Sequence, residues 1–329
     1  MKTIIFSLVL LIGLPTLDAA PKPTVLSTDI GGDIDDTWAL AHLLRSPELK
    51  LDLLLTETGE PAYRASVAAK LLERAERADV EIALGSETGK MKDQDRHQGP
   101  WVEDYQLGSY PGAVHQDGVQ AFIDYVRNSE ADTITVIAIG PAPNLAEAVA
   151  RAPDVARKCE LFGMHGSIDV GYDGATSPSA EYNVVADVPA FRKLMAAPWK
   201  SVSLTPLDTC GLMLLEGSNY QKIWRSTDDA LLRSVIENYC IWAPRVPWME
   251  CDFFTQKTST LFDDVAVLMA YSNSFLEYET IRFSVSDEGY TVRDPNGPFT
   301  ARFAIRWDDM SGFQDWLTQR LLGRHADGP

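Results

Sequence analysis

The feature that most limits how this chain can fold is a regular exchange between short, wholly apolar runs and longer runs with helical spacing. "TVLST" (24–28) gives way to "TWALAHLLRS", "LDLLLTET" (51–58) to "AYRASVAAKLLERAER", and "TITVIAIG" (133–140) to "APNLAEAVARAP". A strand with one wet face alternates apolar and polar residues. A strand that is apolar throughout needs helices over both faces. The pattern therefore predicts an α/β fold, a doubly wound and mainly parallel open sheet flanked by helices. No repeat, low-complexity tract or linker interrupts it, so a single domain over residues 21–329 is expected.

Residues 1–20 read differently. One Lys, an apolar run from Ile4 to Leu14 and small residues at Ala19 and Ala20 have the form of a signal peptide cleaved near Ala20. The run is too short for a membrane span and no Cys follows it, so a secreted or periplasmic protein without a stable membrane anchor is expected. A formal net charge of −18 argues against nucleic acid as a partner. Export permits disulfides among Cys159, Cys210, Cys240 and Cys251. Cys159 precedes a predicted strand and Cys210 follows one, at opposite ends of a parallel sheet, which leaves Cys240 with Cys251 as the pairing to consider.

In open α/β sheets, ligands bind beyond the carboxyl ends of the strands. There the chain carries "STDIGGDIDD" (27–36), "TETGE" (56–60), "IGPAPN" (139–144), "GMHGS" (163–167) and "TPLDT" (205–209). The first crowds Asp29, Asp33, Asp35 and Asp36 where a strand meets a helix. Helix capping accounts for one or two of these acids. Close pairs repel by about 4 kcal/mol each near a protein surface, so a metal ion is the first candidate to neutralise them. Other common sites are missing. "GSETGK" is one residue short of a phosphate-binding loop, and no G-x-G-x-x-G, EF-hand or G-x-S-x-G pattern occurs.

These segments resemble the inosine–uridine-preferring nucleoside hydrolases. "STDIGGDIDD" is similar to that family's N-terminal D-x-D-x-G-x-D-D cluster with a two-residue extension, Ser27 standing for its first Asp. "ITVIAIGPAPNLAEAV", "PSAEYNVVADVPA" and "LFDDVAVLMAY" are similar to three further family segments in the same order, from about Thr24 to Leu322. The resemblance implies hydrolysis of a ribonucleoside's N-glycosidic bond with bound Ca²⁺, and a homodimer or homotetramer. It implies Asp29, Asp36 and Asp263 as carboxylate ligands, with the Ile139 carbonyl beside them and Asp29 as general base. Asp263 fits the motif spacing better than Asp264. Asp35, Glu181 and Asn183 would hold the ribose, with Met164 near the sugar. Asp33 remains as a turn or solvated acid, Asn144 as a helix cap and Asp208 as a structural residue.

Three residues depart from the family pattern. Ser27 replaces an Asp, Glu60 stands where an Asn usually contacts ribose, and Phe262 stands where many members have a His. These departures keep open a riboside-binding relative with little catalysis, or a hydrolase of another N-riboside. Since Phe262 cannot donate a proton, activation of the leaving base falls to loops carrying His97 and Trp101, or Trp242, Arg245, Trp248, Phe253 and Phe254.

Overall fold

Each apolar run becomes a strand and each helically spaced run a helix in the computed structural model, which describes residues 20–89, 91, 95–246 and 256–324. The chain begins with β1 (Lys22–Thr28), α1 (Asp35–Leu44), β2 (Leu49–Thr56), α2 (Pro61–Arg74) and β3 (Glu81–Ala83). Next come β4 (Val114–His115), α3 (Gly118–Asn128), β5 (Ile134–Ala138) and α4 (Pro143–Arg151). They are followed by α5 (Pro153–Ala156), β6 (Cys159–Met164), α6 (Tyr182–Val185), α7 (Val188–Ala196) and β7 (Ser201–Thr205). The chain continues through α8 (Gly217–Trp224), α9 (Ala230–Trp242) and α10 (Phe262–Tyr271). It closes with β8 (Leu276–Val285), β9 (Thr291–Arg293), β10 (Phe299–Trp307) and α11 (Met310–Leu321).

All strands join one ten-stranded sheet in the order β4-β3-β2-β1-β5-β6-β7-β10-β8-β9. Pairing is parallel from β4 to β10, and only β8 runs antiparallel to its neighbours. The sheet separates two cores. One face packs against α1, α2, α9, α10 and α11 through residues such as Trp38, Val67, Val235, Val265 and Phe313. The other packs against α3, α4 and α7 through Phe122, Leu145 and Phe191. Successive strand residues feed opposite cores, Leu26 and Ile137 one, Val25 and Val136 the other. This double burial is why the strands lack alternation. Among the described residues no helix is long and apolar enough to cross a membrane.

The chain passes from β1 outward to β2 and β3, then returns to place β5 on the other side of β1. That reversal leaves a crevice beyond the carboxyl ends of β1 and β5, where such sheets hold ligands. Helices α1 and α10 pack against one another, so two helix N-termini open beside the crevice. Residues 1–19, the greater part of the expected signal peptide, lie outside the described residues. Among the described residues Cys159, Cys210 and Cys240 form no disulfide with one another, the first two being buried; Cys251, the expected partner of Cys240, lies outside the described residues.

Candidate active site

The crevice is a cavity of about 610 Å³. Its floor begins at the end of β1, where the chain turns sharply before α1. Gly31 takes φ +103°, and a Cβ there would lie 2.8 Å from the Tyr63 ring, so both backbone and packing demand glycine. Asp35 and Asp36 then occupy the first turn of α1, and Asp263 and Asp264 the first turn of α10. Carboxylates are favoured at these positive helix ends.

One carboxylate oxygen from each of Asp35, Asp36 and Asp263 lies within 4.8 Å of the others, and all three residues are buried. Thr28 Oγ1 donates to Asp36, while Asp263 Oδ2 is buried with no hydrogen-bond partner among the described residues. Burial, followed by repulsion from neighbouring acids, pushes all three well above the usual carboxylate range. Burial and mutual repulsion thus disfavour the charged forms of these groups in the absence of a cation. Buried oxygen donors at this spacing, one of them unpartnered, fit a hard divalent ion. Asp264 points elsewhere: His42 Nδ1 sits 3.1 Å from its Oδ1, with both side chains fully buried. Of the two adjacent acids, Asp263 is therefore the one that faces the cavity.

Asp29 lines the same cavity but stands outside this closest trio. Its Oδ2 is 3.7 Å from Arg64 Nη2, and its Oδ1 rests against Gly140, where a Cβ would come within 2.3 Å. Burial raises its pKa, and Arg64 opposes that rise. The structure thus brings Asp35 into the tight cluster where the sequence suggested Asp29. Asp33 also lines the cavity, accepting the Ile34 N–H at 2.6 Å, and burial pushes its pKa up to about 6.

The opposite wall comes from β6 and the start of α6. Glu181 accepts N–H groups from Gly166, Asn183 and Val184 at 3.0, 2.7 and 3.2 Å, and burial pushes its pKa up to about 7. Asn183 Nδ2 donates to the Met164 carbonyl at 3.0 Å and lies 3.5 Å from the Ile139 carbonyl. Ile139 and Met164 both line the cavity. At the mouth, Phe262 meets Tyr172 edge-on at 6.2 Å between ring centres, and Tyr182 is 62% exposed. His97 also lines the cavity; burial lowers its pKa, with Asp95 opposing and Arg245 adding to the shift.

Other residues singled out in the sequence lie elsewhere. Glu60 pairs with Arg96 in a neighbouring cleft. Trp101 is buried with its Nε1 donating to Glu237 at 3.2 Å, and Trp242 is buried beside Tyr239. Trp248, Phe253 and Phe254 lie outside the described residues. Asn144 sits inside the first turn of α4, accepting from Ser86 and donating to Glu57. Asp208 accepts three successive backbone N–H groups, from Ile168, Asp169 and Val170, and so shapes the loop after β6. The sequence reading passed over Arg64 and Glu57. The β1–β2 register sets Thr28 opposite Thr56, so Glu57 follows alongside the end of β1, its N–H donating to the Thr28 carbonyl and its side chain accepting from Ser27.

The sheet order, with its acid-lined crevice at the reversal, defines the nucleoside hydrolase fold. The plant nucleoside hydrolase PpNRh1 superposes with a TM-score of 0.75 at 22% identity, covering 92% of this chain and 99% of its own. The purine-preferring ribonucleoside hydrolase from Gardnerella vaginalis gives 0.73 at 20% identity, covering 93% and 100%. The family model described as inosine-uridine preferring nucleoside hydrolase matches residues 24–313, and the chain belongs to that family. The non-specific ribonucleoside hydrolase RihC of Klebsiella pneumoniae (strain 342) is 30% identical over 181 residues, 52% of this chain and 57% of its own length. The uncharacterized protein C1683.06c of Schizosaccharomyces pombe is 28% identical over 198 residues, 56% of this chain and 60% of its own length. The chain thus matches somewhat over half the length of these curated relatives.

Proposed function

We propose that this chain hydrolyses the N-glycosidic bond of ribonucleosides to free base and ribose, with Ca²⁺ as its resident ion. The observation that carries this reading is the buried trio Asp35, Asp36 and Asp263, with Asp29 beside it in the same cavity. Asp29, Asp36 and Asp263 would hold the ion, with the Ile139 carbonyl completing the set and Asp35 beside them toward the ribose. When bound, the ion would lower the pKa of a water molecule and engage the sugar hydroxyls.

Asp29 accepts the proton of the attacking water. Its carboxylate is set for this by Gly140 on one side and Arg64 on the other. Glu181 and Asn183 form the ribose wall, and the surrounding carboxylates stabilise positive charge developing at C1′. Phe262 and Tyr172 offer an apolar face to the departing base. The reading also carries an exported enzyme, freed from its leader near Ala20, that self-associates as a dimer or tetramer.

The test is incubation of purified protein with a panel of purine and pyrimidine nucleosides, with calcium or with excess chelator, while free ribose is followed by reducing-sugar assay. Ribose release that chelation abolishes and calcium restores is expected. Binding of nucleosides without ribose release would replace this reading with a riboside-binding one.

A further inference from the structure

Among the described residues seven carboxylates line the cavity, from Asp29, Asp33, Asp35, Asp36, Asp95, Glu181 and Asp263, against one guanidinium. That group is Arg64, on the first turn of α2 with its side chain 6% exposed. It is the one Lys or Arg side chain among the described residues that line the cavity. Burying a cation is costly unless donors and charge are both matched.

Arg64 is matched on both counts. Nε donates to the Thr58 carbonyl at 2.7 Å and Nη1 to the Ile30 carbonyl at 3.1 Å. Nη2 reaches Thr58 Oγ1 at 3.4 Å and lies 3.7 Å from Asp29 Oδ2. Two loops therefore close on one side chain, the one after β1 through Ile30 and the one after β2 through Thr58. A Cβ on Gly32 or Gly59 would stand 3.7 or 3.5 Å from its nitrogens, so both loops lie flat against it.

We infer that Arg64 is the fixed counter-cation of the site, holding Asp29 beside Asp35, Asp36 and Asp263 and offsetting one unit of their charge. The inference rests on the reading of those acids as an ion site. Arg64 is a positioning residue: it acts through Asp29 and through the field at the trio. Its two contributions have opposite signs for the ion. A fixed positive charge weakens binding of a divalent cation, whereas ordering Asp29 serves turnover. An arginine that only held the loops together would support both.

The test compares Arg64→Met and Arg64→Lys with the wild-type chain. Each is stripped of metal and titrated calorimetrically with CaCl₂, and kcat and KM are measured on inosine. Arg64→Met is expected to bind Ca²⁺ about tenfold more tightly, the scale of one unit charge acting on a divalent ion across a few ångströms of a wet site. Its kcat is expected to fall at least about tenfold, with a smaller change in KM. Arg64→Lys keeps the charge and loses the forked hydrogen bonds, so Ca²⁺ affinity stays within about threefold of wild type while kcat falls. Should Arg64→Met prove unfolded, Arg64→Lys still decides: Ca²⁺ affinity lowered tenfold or more overturns the inference. Weaker Ca²⁺ binding by a folded Arg64→Met also overturns it and leaves the ion reading intact. Absence of Ca²⁺ binding by the wild-type chain removes the ion reading, and this inference with it.

Discussion

Glu57 offers a measurement in which sign and size both follow from the structure. It stands just beyond β2, fully buried, with all its hydrogen bonds on two oxygens. Oε1 accepts from Ser27 Oγ at 2.8 Å and the Leu145 N–H at 3.1 Å. Oε2 accepts from the Asn144 N–H at 2.8 Å and Asn144 Nδ2 at 2.9 Å. Four donors favour the charged form, yet burial wins and the pKa rises from 4.5 to about 7. Between those values the folded chain keeps a proton on Glu57 that the unfolded chain has released. The stability contributed is therefore fully present below pH 4.5 and lost as pH rises through 7. At 1.36 kcal/mol per tenfold change in proton affinity, this amounts to about 3 kcal/mol.

Glu57→Gln keeps the shape and removes the titration. Its oxygen can serve both Asn144 donors and its NH₂ can face Ser27, leaving the Leu145 N–H unpaired at a cost of about 1–3 kcal/mol. The assay is urea unfolding of both proteins in parallel from pH 5 to pH 8, at fixed saturating calcium, followed by tryptophan fluorescence. The difference between the two cancels every other titrating group. Wild type should be the more stable at pH 5. By pH 8 the variant should have gained roughly 2–3 kcal/mol on it, with unchanged m-values. A gap that stays constant, or widens in favour of wild type as pH rises, would refute the claim that burial outweighs the four donors.

Three further outcomes follow from the same geometry. Asp263→Asn removes a buried acid repelled by its neighbours, so in chelator it should be at least as stable as wild type while losing Ca²⁺ affinity and most turnover. Asp264→Ala leaves the buried His42 Nδ1 without its carboxylate neighbour and should cost about 1–3 kcal/mol in thermal or urea melts. If the leaving base takes its proton from His97, the ratio of inosine to nitrophenyl riboside turnover should rise as pH falls toward that residue's lowered pKa, and stay flat in His97→Ala. A flat ratio in the wild-type chain would exclude His97 as the acid.

Much of this was legible in the sequence because burial on both faces leaves an unmistakable record. The runs "LDLLLT" and "ITVIA" can be little else than central parallel strands, and they place the site at their ends. The antiparallel end of the sheet was harder to see. β8 reads "LEYETIRFSV", half-buried along much of its length, so its apolar residues carry no clean period. Within the site, acids crowded in sequence were visible, but acids and bases gathered by folding were not. Glu57 follows a strand whose neighbour is known only once the register is set. Arg64 looks like any surface arginine on an amphipathic helix until two loops fold over it. Glu60 stands where the family pattern has an Asn that contacts ribose, and only the fold shows that its side chain turns to Arg96.

The trio of acids has a consequence for the order of events when the chain folds. Asp35 and Asp36 belong to the first helix and Asp263 to the tenth, so the two halves of the cluster are separated by most of the polypeptide. No early segment can assemble the centre on its own, and loop closure over that length comes late. A chain interrupted before α10 would carry the acids of the first turn without the partner that completes their cage. In the finished protein the same arrangement makes turnover a stringent reporter. A partial opening that lifts α10 from α1 would silence the centre while the rest of the sheet stays intact, so activity should vanish before any spectroscopic sign of global unfolding.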